Sequence, residues 1–235
     1  MKHRLLALSQ RVPAMHVAPA LSCAEIVDAV YWGMKRPDDS FVMSKGHGAI
    51  MQYVALEELG VLKNLDDYCN GPLGCHPDRG TPGIEASTGS LGHGLGIALG
   101  MAYADPTRDV YCLVSDGELM EGSTWEAIML AATLQVPNLV MLVDYNGMHS
   151  SGDIRGAVSR PGMKLWAFGW RTFEVDGHDA EAMVVLGKQN SRRGPMALVC
   201  NTVKGHGISF MEGNPIWHYR SPTPEEYRQA VEEIG

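Results

Sequence analysis

Two polar residues follow shortly after apolar runs that are typical of buried strands. Asp116 comes after the run at 109–114 and Asn146 after the run at 139–143, with a helical pattern between the two runs. Such a β-α-β unit would bring a carboxylate and an amide oxygen together at the carboxyl ends of parallel strands. Mg²⁺ favours octahedral oxygen coordination with few protein ligands, so these two side chains and the backbone carbonyl of Met148 would suffice to hold it.

Gly117 suits the approach of a phosphate group to this predicted metal site. A glycine lets the backbone come close to a phosphate, and the start of the following helix offers unpaired N–H groups and a positive dipole end. Asp116-Gly117 alone, or Asn146-Gly147 alone, is typical of an ordinary turn. The interpretation as a diphosphate site therefore depends on both dipeptides occurring at this spacing.

The elements that would position these residues alternate between strands and helices along one continuous domain, residues 1–235, without a linker or repeat. This alternation predicts an α/β fold with a doubly wound, mainly parallel sheet and helices on both faces. Ser22, with Glu25 in a capping box, and Asp179 are predicted to cap helices. The predicted helices are 23–31, 48–59, 89–104, 123–135 and 179–189, and the predicted strands are 109–114, 139–143, 171–175 and 196–203.

Composition limits the classes of function. With 235 residues, 45% hydrophobic, and a formal net charge of -8, the chain can bury a core but has no general electrostatic reason to bind nucleic acid or an anionic membrane. Its five cysteines are odd in number and form no C-x-x-C pair, so we expect reduced thiols and neither a disulfide framework nor a zinc cage. Without a secretory signal or a long apolar run, a cytoplasmic location is predicted.

Several motifs carry a resemblance to a known family. The sequence Asp-Gly-Glu-Leu-Met-Glu-Gly at 116–122, followed by Trp-Glu-Ala at 125–127 and Asp-Tyr-Asn at 144–146, resembles the thiamine diphosphate motif of transketolases. Ser115 stands where the family commonly has a glycine, and its hydroxymethyl group would either crowd the cofactor or donate a hydrogen bond. Further blocks resemble transketolase in the expected order, at 44–48, 74–77, 85–94, 176–179 and 202–205.

The resemblance implies a reaction and its cofactors. The reaction is transfer of a two-carbon ketol unit from a ketose or ketose phosphate to an aldose, with thiamine diphosphate and Mg²⁺, or another divalent cation such as Ca²⁺ or Mn²⁺. Substrate hydroxyl groups must lose and regain protons near neutral pH, and imidazole suits that work. The family's histidine blocks favour transketolase over other thiamine diphosphate enzymes.

The resemblance also assigns roles to individual residues. It places substrate contact and proton transfer on four histidines, and it places Glu121 on a hydrogen-bonded path between two active sites across a subunit interface. The four histidines are His16, His47, His76 and His218. The residues expected to contact the cofactor are His47, Gly89, Ser90, Leu91, Ser115, Asp116, Gly117, Glu118 and Asn146, and the metal ligands are Asp116, Asn146 and Met148.

A second chain is expected to complete the enzyme. Transketolases bind the cofactor between a diphosphate-binding module and a pyrimidine-binding module, which supplies an activating glutamate. After Gly213 about twenty residues remain, whereas a further α/β module needs on the order of 100 residues. The resemblance therefore implies a split enzyme in which this chain pairs with a pyrimidine-binding subunit, as a heterotetramer with two copies of each.

Three alternatives stay open. One is another thiamine diphosphate enzyme subunit, either a synthase similar to 1-deoxyxylulose phosphate synthase or the α subunit of a 2-oxoacid dehydrogenase. Another is a non-catalytic regulatory or binding subunit, motivated by departures from the family pattern at Ser115, 17–18, His206 and Tyr219. A third is a specialised transketolase that acts on an unusual sugar.

Overall fold

The chain folds around a parallel sheet. The computed structural model describes residues 1–12, 14–67, 74–149, 152–189 and 193–235, and for Asp67 and His149 the backbone alone. Its five-stranded sheet has the order β1-β2-β3-β7-β6, with every neighbouring pair parallel, and β4 and β5 form a separate antiparallel pair. The strands are β1 Ser40–Met43, β2 Val110–Ser115, β3 Leu139–Tyr145, β4 Met148–His149, β5 Gly152–Asp153, β6 Arg171–Asp176 and β7 Met196–Asn201.

Helices cover both faces of the sheet. Side chains of β2 alternate between the faces: Tyr111 and Leu113 belong to one hydrophobic core, and Cys112 and Val114 belong to the other. Helices α5 to α7 enclose the second core, and the others pack on the first. The helices are α1 Lys2–Ser9, α2 Val17–Ser22, α3 Ala24–Asp28, α4 Ala49–Glu58, α5 Gly94–Ala104, α6 Gly122–Thr133, α7 Pro161–Ala167, α8 Ala180–Gly187 and α9 Pro224–Ile234.

The predicted fold class is confirmed, and most predicted elements occur within two residues of their expected bounds. Because Gly89 and Gly92 have φ angles of 132° and 87°, which a helix does not allow, α5 begins at Gly94 and not at the predicted position 89. Asp179 caps α8, as predicted, by accepting a hydrogen bond from the backbone N–H of Ala182 at 2.9 Å. The elements not predicted from the sequence are α1, α2, β1, β4, β5, α7 and α9.

The prediction of one helix over 23–31 is wrong. Helix α2 ends at Ser22, α3 follows, and a π-helix occupies Ala29–Met34. The Ser22 hydroxyl does not cap α3, because it lies 2.6 Å from the buried Asp144 carboxylate. The Glu25 carboxylate, predicted to complete a capping box, forms an ion pair with Lys2 at 2.6 Å.

The expectation that every thiol is reduced is wrong for one cysteine. Cys75 is disulfide-bonded, whereas Cys23, Cys112 and Cys200 are free and buried. Cys69 lies outside the described residues.

In the described ranges, each helix is too short or too polar to cross a bilayer.

The start of α5 offers a test of how tightly the loop after β1 packs on this helix. A Cβ atom at Gly94 would lie 2.7 Å from Ser44 Cα, whereas one at Gly100, on the exposed face of the same helix, meets nothing within 4 Å. We expect Gly94→Ala to lower the free energy of unfolding by about 1–3 kcal/mol through overpacking. Gly100→Ala should raise it by up to about 1 kcal/mol, because alanine favours the helix.

Urea denaturation of both variants measures the difference. Equal stability of Gly94→Ala and the unchanged chain would show that the loop at Ser44 can move to accommodate the methyl group without a loss in the free energy of unfolding.

Candidate functional site

A cavity of about 190 Å³ opens at the carboxyl edge of the sheet. The segments that follow β1, β2, β3 and β7 all contribute to its wall, as expected for a ligand site in a doubly wound fold. Its lining residues are His16, Pro19, Lys45, His47, His76, Gly89, Leu91, Ser115, Asp116, Gly117, Asn146, Met148, Lys204 and His218. Most of the predicted site residues therefore meet in one place.

Asp116 is a buried carboxylate at the end of β2. Its oxygens accept hydrogen bonds from the backbone N–H groups of Gly117 at 2.8 Å, Asn146 at 3.0 Å and Gly147 at 2.5 Å. Burial, together with the nearby charge of Asp144, raises the pKa of Asp116 to about 6. A carboxylate in this setting would be stabilised in its ionised form by a cation in the cavity.

The oxygen donors at this end of the sheet fit a hard divalent cation. Asp116, Asn146 and Met148 all line the cavity, and Asn146 Oδ1 accepts a hydrogen bond from the backbone N–H of Met148 at 3.1 Å. Within the described ranges, no group of three or more His, Cys, Asp or Glu side chains could hold a metal ion. A cation here would therefore combine one carboxylate with an amide oxygen and a backbone carbonyl, and water or phosphate would complete the shell.

The cavity floor contains a buried ion pair between Lys45 and Asp144, which are 1% and 0% exposed. The Lys45 ammonium also donates to Pro19 O at 2.7 Å and Ser22 Oγ at 2.8 Å, and Asp144 accepts a hydrogen bond from the Thr202 hydroxyl. Burial alone would raise the pKa of Asp144, but Lys45 and the hydroxyl donors hold it below its usual value. Neither residue was predicted from the sequence to have a role in the site.

Glu118 lies beneath the loops and not in the described cavity wall. Its carboxylate accepts hydrogen bonds from the Ser44 hydroxyl, from the Gly92 N–H at 3.1 Å and from the Ser115 N–H at 2.9 Å. Burial raises the pKa of Glu118. This side chain links the end of β2 to the loop after β1 and to the loop before α5. Its contact with the cofactor stays a prediction.

The other predicted residues at this end of the site differ in position. The Ser115 hydroxyl donates to the Glu118 carboxylate at 3.3 Å, while the residue itself lines the cavity. Ser90 and Glu121 are exposed and lie outside the described cavity wall. Glu121 precedes α6, where its side chain faces Gly92.

The four predicted histidines form a cluster around His16. Its ring centroid lies 5.4 Å from that of His218, 5.6 Å from that of His76 and 5.9 Å from that of His47. Tyr219, one of the departures from the family pattern, places its ring centroid 4.5 Å from that of His16. Residues far apart in the sequence therefore present their imidazole rings to one cavity.

Burial favours the neutral form of three of these imidazoles, those of His16, His47 and His76, near pH 7. It lowers the pKa of His16 to about 4, with further contributions from the positive charges of neighbouring groups, and lowers the pKa of His47 well below its usual value. Burial also lowers the pKa of His76. Neutral rings can each donate one hydrogen bond and accept another, which suits proton transfer at sugar hydroxyl groups.

Lys204 is a site residue that the sequence analysis did not single out, although it lies in the transketolase-like block at 202–205. It lines the cavity and is 3% exposed. Its ammonium nitrogen lies 2.8 Å from Nδ1 of His218. Burial and the nearby charge of Lys45 lower its pKa to about 8. Its place after a strand of the sheet was the signal that could have identified it.

Two loops of the site cross at a pair of glycines. A Cβ atom at Gly46 would lie 2.6 Å from Gly89 Cα, and Gly89 itself has a φ angle of 132°. A side chain at Gly46 would push the loop that carries His47 away from the backbone of Gly89, and a Cβ atom at Gly89 would lie 3.0 Å from the ring of His76. The width of the cavity therefore depends on both glycines.

The buried ion pair gives a prediction about stability. Lys45→Met would leave the Asp144 carboxylate buried without its cation, so we expect the free energy of unfolding to fall by about 3–5 kcal/mol. Lys188→Met removes an exposed lysine elsewhere and should change it by no more than about 0.5 kcal/mol. Chemical denaturation of the two variants measures both values, and equal effects would contradict the importance of the pair.

Comparison with known sequences identifies relatives over the whole chain. Residues 29–235 match the family described as "Transketolase, thiamine diphosphate binding domain". The chain is 36% identical over 255 residues to one subunit of the apulose-4-phosphate transketolase of Phocaeicola vulgatus, covering 100% of this chain and 91% of the relative. It is 36% identical over 241 residues to the 6-deoxy-6-sulfo-D-fructose transketolase subunit SqwG of a Clostridium species, covering 93% and 88%.

Solved structures give the same result. The transketolase of Leishmania mexicana superimposes with a TM-score of 0.84 at 26% identity, covering 100% of this chain and 40% of the larger one. The transketolase of Campylobacter jejuni superimposes with a TM-score of 0.84 at 25% identity, covering 100% and 42%. The chain spans about two fifths of these solved transketolases. It therefore belongs to the transketolase family and represents the thiamine diphosphate binding domain of that family.

Proposed function

We propose that this chain is the diphosphate-binding subunit of a split transketolase, which transfers a two-carbon ketol unit from a ketose or its phosphate to an aldose. One observation carries the proposal: the oxygen donors Asp116, Asn146 and Met148 share a cavity with the histidine cluster around His16. A metal ion with its anionic ligand could therefore bind in the same cavity as the imidazoles that would transfer protons. This set of histidines is expected from the resemblance to transketolase and not for the alternative thiamine diphosphate enzymes.

The described residues divide into those that would hold the cofactor and those that would act on the sugar. Thiamine diphosphate, when bound, supplies a thiazolium ring that stabilises a carbanion on the two-carbon unit. Its divalent cation, Mg²⁺ or a similar ion, would be held by the three oxygen donors. Contacts to the cofactor itself are proposed for the lining residues His47, Gly89, Leu91, Ser115 and Gly117.

The histidines would orient the sugar and move its protons. His16 occupies the centre of the cluster, and its Nδ1 is buried without a hydrogen-bond partner in the described structure. A buried polar atom of this kind costs free energy unless a ligand satisfies it. A sugar hydroxyl in the cavity would supply the missing partner, so His16 is the first candidate for substrate contact.

A second chain is supported by two observations. The relatives from P. vulgatus and Clostridium are named as subunits. On the side of the sheet covered by α5 to α7, large apolar side chains remain exposed, including Ile97, Leu130 and Trp166, the last at 73%. Exposed apolar surface of this kind is typical of a protein interface.

The partner that we propose is a pyrimidine-binding subunit, in an assembly of two copies of each chain. Glu121 and Met120 lie exposed near the start of α6, so Glu121 is available for the predicted path between active sites across an interface. The cytoplasmic location remains a prediction.

Activity should require the partner. We expect the purified chain, supplied with Mg²⁺ and thiamine diphosphate, to show no ketol transfer from a ketose to an aldose phosphate, because the activating glutamate is expected on the other chain. Adding the pyrimidine-binding subunit from the same genome should restore transfer. The assay follows formation of the new ketose, with candidate donors that include apulose 4-phosphate and 6-deoxy-6-sulfo-D-fructose.

Two outcomes would overturn this proposal. Robust turnover by partner-free chain would exclude a split enzyme, and release of carbon dioxide from pyruvate by the complex would favour a decarboxylating enzyme. Ketol transfer from a ketose releases no carbon dioxide.

Cofactor binding can be measured apart from activity. Calorimetric titration of the assembled complex with thiamine diphosphate should show binding that depends on Mg²⁺, and Asp116→Ala should reduce the affinity at least about tenfold through loss of a metal ligand. Asp38→Ala, an exposed aspartate away from the cavity, should bind the cofactor like the unchanged chain. Binding of thiamine diphosphate without a divalent cation would contradict the proposed ligands, and no binding at all would support a non-catalytic subunit.

A further inference from the structure

Lys204 and His218 form a polar contact in the cavity wall that the proposed reaction does not by itself explain. The ammonium nitrogen of Lys204 lies 2.8 Å from Nδ1 of His218, and both residues line the cavity. This distance is that of a hydrogen bond between a charged donor and a neutral acceptor. The contact therefore indicates which nitrogen of the His218 imidazole carries the proton.

The chemistry of the two groups allows one arrangement at neutral pH. A lysine ammonium carries three N–H donors and no acceptor, so Nδ1 of the imidazole must offer its lone pair. A proton on Nδ1 would instead set two donors against each other at 2.8 Å. In a neutral imidazole with Nδ1 unprotonated, the proton is on Nε2.

We infer that Lys204 is a positioning residue that fixes the neutral form of His218 in the tautomer with its proton on Nε2. The side chains are held for this contact by the backbone around them. The carbonyl of Lys204 accepts a hydrogen bond from the Gly213 N–H at 3.0 Å, and His218 lies in the 3-10 helix Pro215–Tyr219, which Asn214 caps. Because Lys204 is 3% exposed, water does not compete freely for its ammonium.

The tautomer distinguishes the role of His218 from those of its neighbours. With the proposed function, a ring fixed in this way presents Nε2–H as a hydrogen-bond donor, which suits a substrate oxygen that gains negative charge. It is poorly suited to act as the base, because the basic nitrogen is taken by Lys204. The proton acceptor during ketol transfer would then be another member of the cluster, with His16 first among the candidates.

Nitrogen NMR tests the tautomer directly on the full chain, without cofactor or partner. The spectra are recorded at pH 7, below the Lys204 pKa of about 8, so that its ammonium group is charged. In long-range ¹H–¹⁵N spectra of histidine-labelled protein, we expect His218 to show a pyridine-type Nδ1 and a pyrrole-type Nε2. The signals of His218 are identified by their loss in His218→Gln. In Lys204→Met the pattern should shift toward a mixture of tautomers or toward the Nδ1–H form.

Two further variants complete the test. Lys204→Arg keeps a group that only donates hydrogen bonds, so it should preserve the Nε2–H pattern, and Lys188→Met, an exposed lysine, should leave the His218 signals unchanged. The inference is overturned if His218 carries its proton on Nδ1 in the unchanged chain, or if Lys204→Met leaves the pattern as it was. Should Lys204→Met fail to fold, the spectrum of the unchanged chain still decides the tautomer.

The consequence for catalysis rests on the proposed function, but the NMR result does not. Absence of ketol transfer in the reconstituted complex would therefore refute the proposed reaction without affecting the tautomer. An Nδ1–H pattern in an active complex would refute the tautomer alone.

Discussion

The ion pair between Lys45 and Asp144 is the interaction on which the floor of the cavity depends. Four segments converge on it: the end of α2 through Ser22, the loop after β1 through Lys45, the end of β3 through Asp144, and the segment after β7 through Thr202. Neither charge has access to water, so each stays satisfied only while all four segments keep their places. The rest of the site is built on this fixed base.

Above this floor, electrostatics favours an anionic ligand together with a cation. Lys45 is balanced by Asp144, which leaves the carboxylate of Asp116 to attract a metal and the ammonium of Lys204 to attract negative charge. A diphosphate bound to a divalent ion combines both charges. The neutral histidines add hydrogen-bonding capacity without changing this balance.

The sequence predicted the part of the fold that local pattern controls. The strand that ends at Ser115 and the strand that ends at Tyr145 each begin with a continuous apolar run. The rule that parallel strands present their carboxyl ends together placed Asp116 beside Asn146. The cluster of histidines was expected from the resemblance alone, since periodicity gives no reason for His16 and His218 to meet.

What escaped prediction depends on partners that are distant in sequence. Ser22 looked like a helix cap because the competing carboxylate is 122 positions away. The hydrogen bonds of Glu118 with Ser44 and Gly92 likewise join segments that are distant in sequence. Strand β1 has four residues, too few for a clear pattern. Helix α9 did carry a signal, since Thr223 and Glu226 form its capping box.

The crossing of Gly46 over Gly89 has a consequence for anyone who wishes to alter the sugar preference by exchanging loops between relatives. The loop with Gly46 packs directly on the backbone of Gly89, so a transplanted loop with a side chain in place of Gly46 would not pack against the original one. The two loops therefore depend on each other for their packing. A chimera that takes one would have to take both from the same donor.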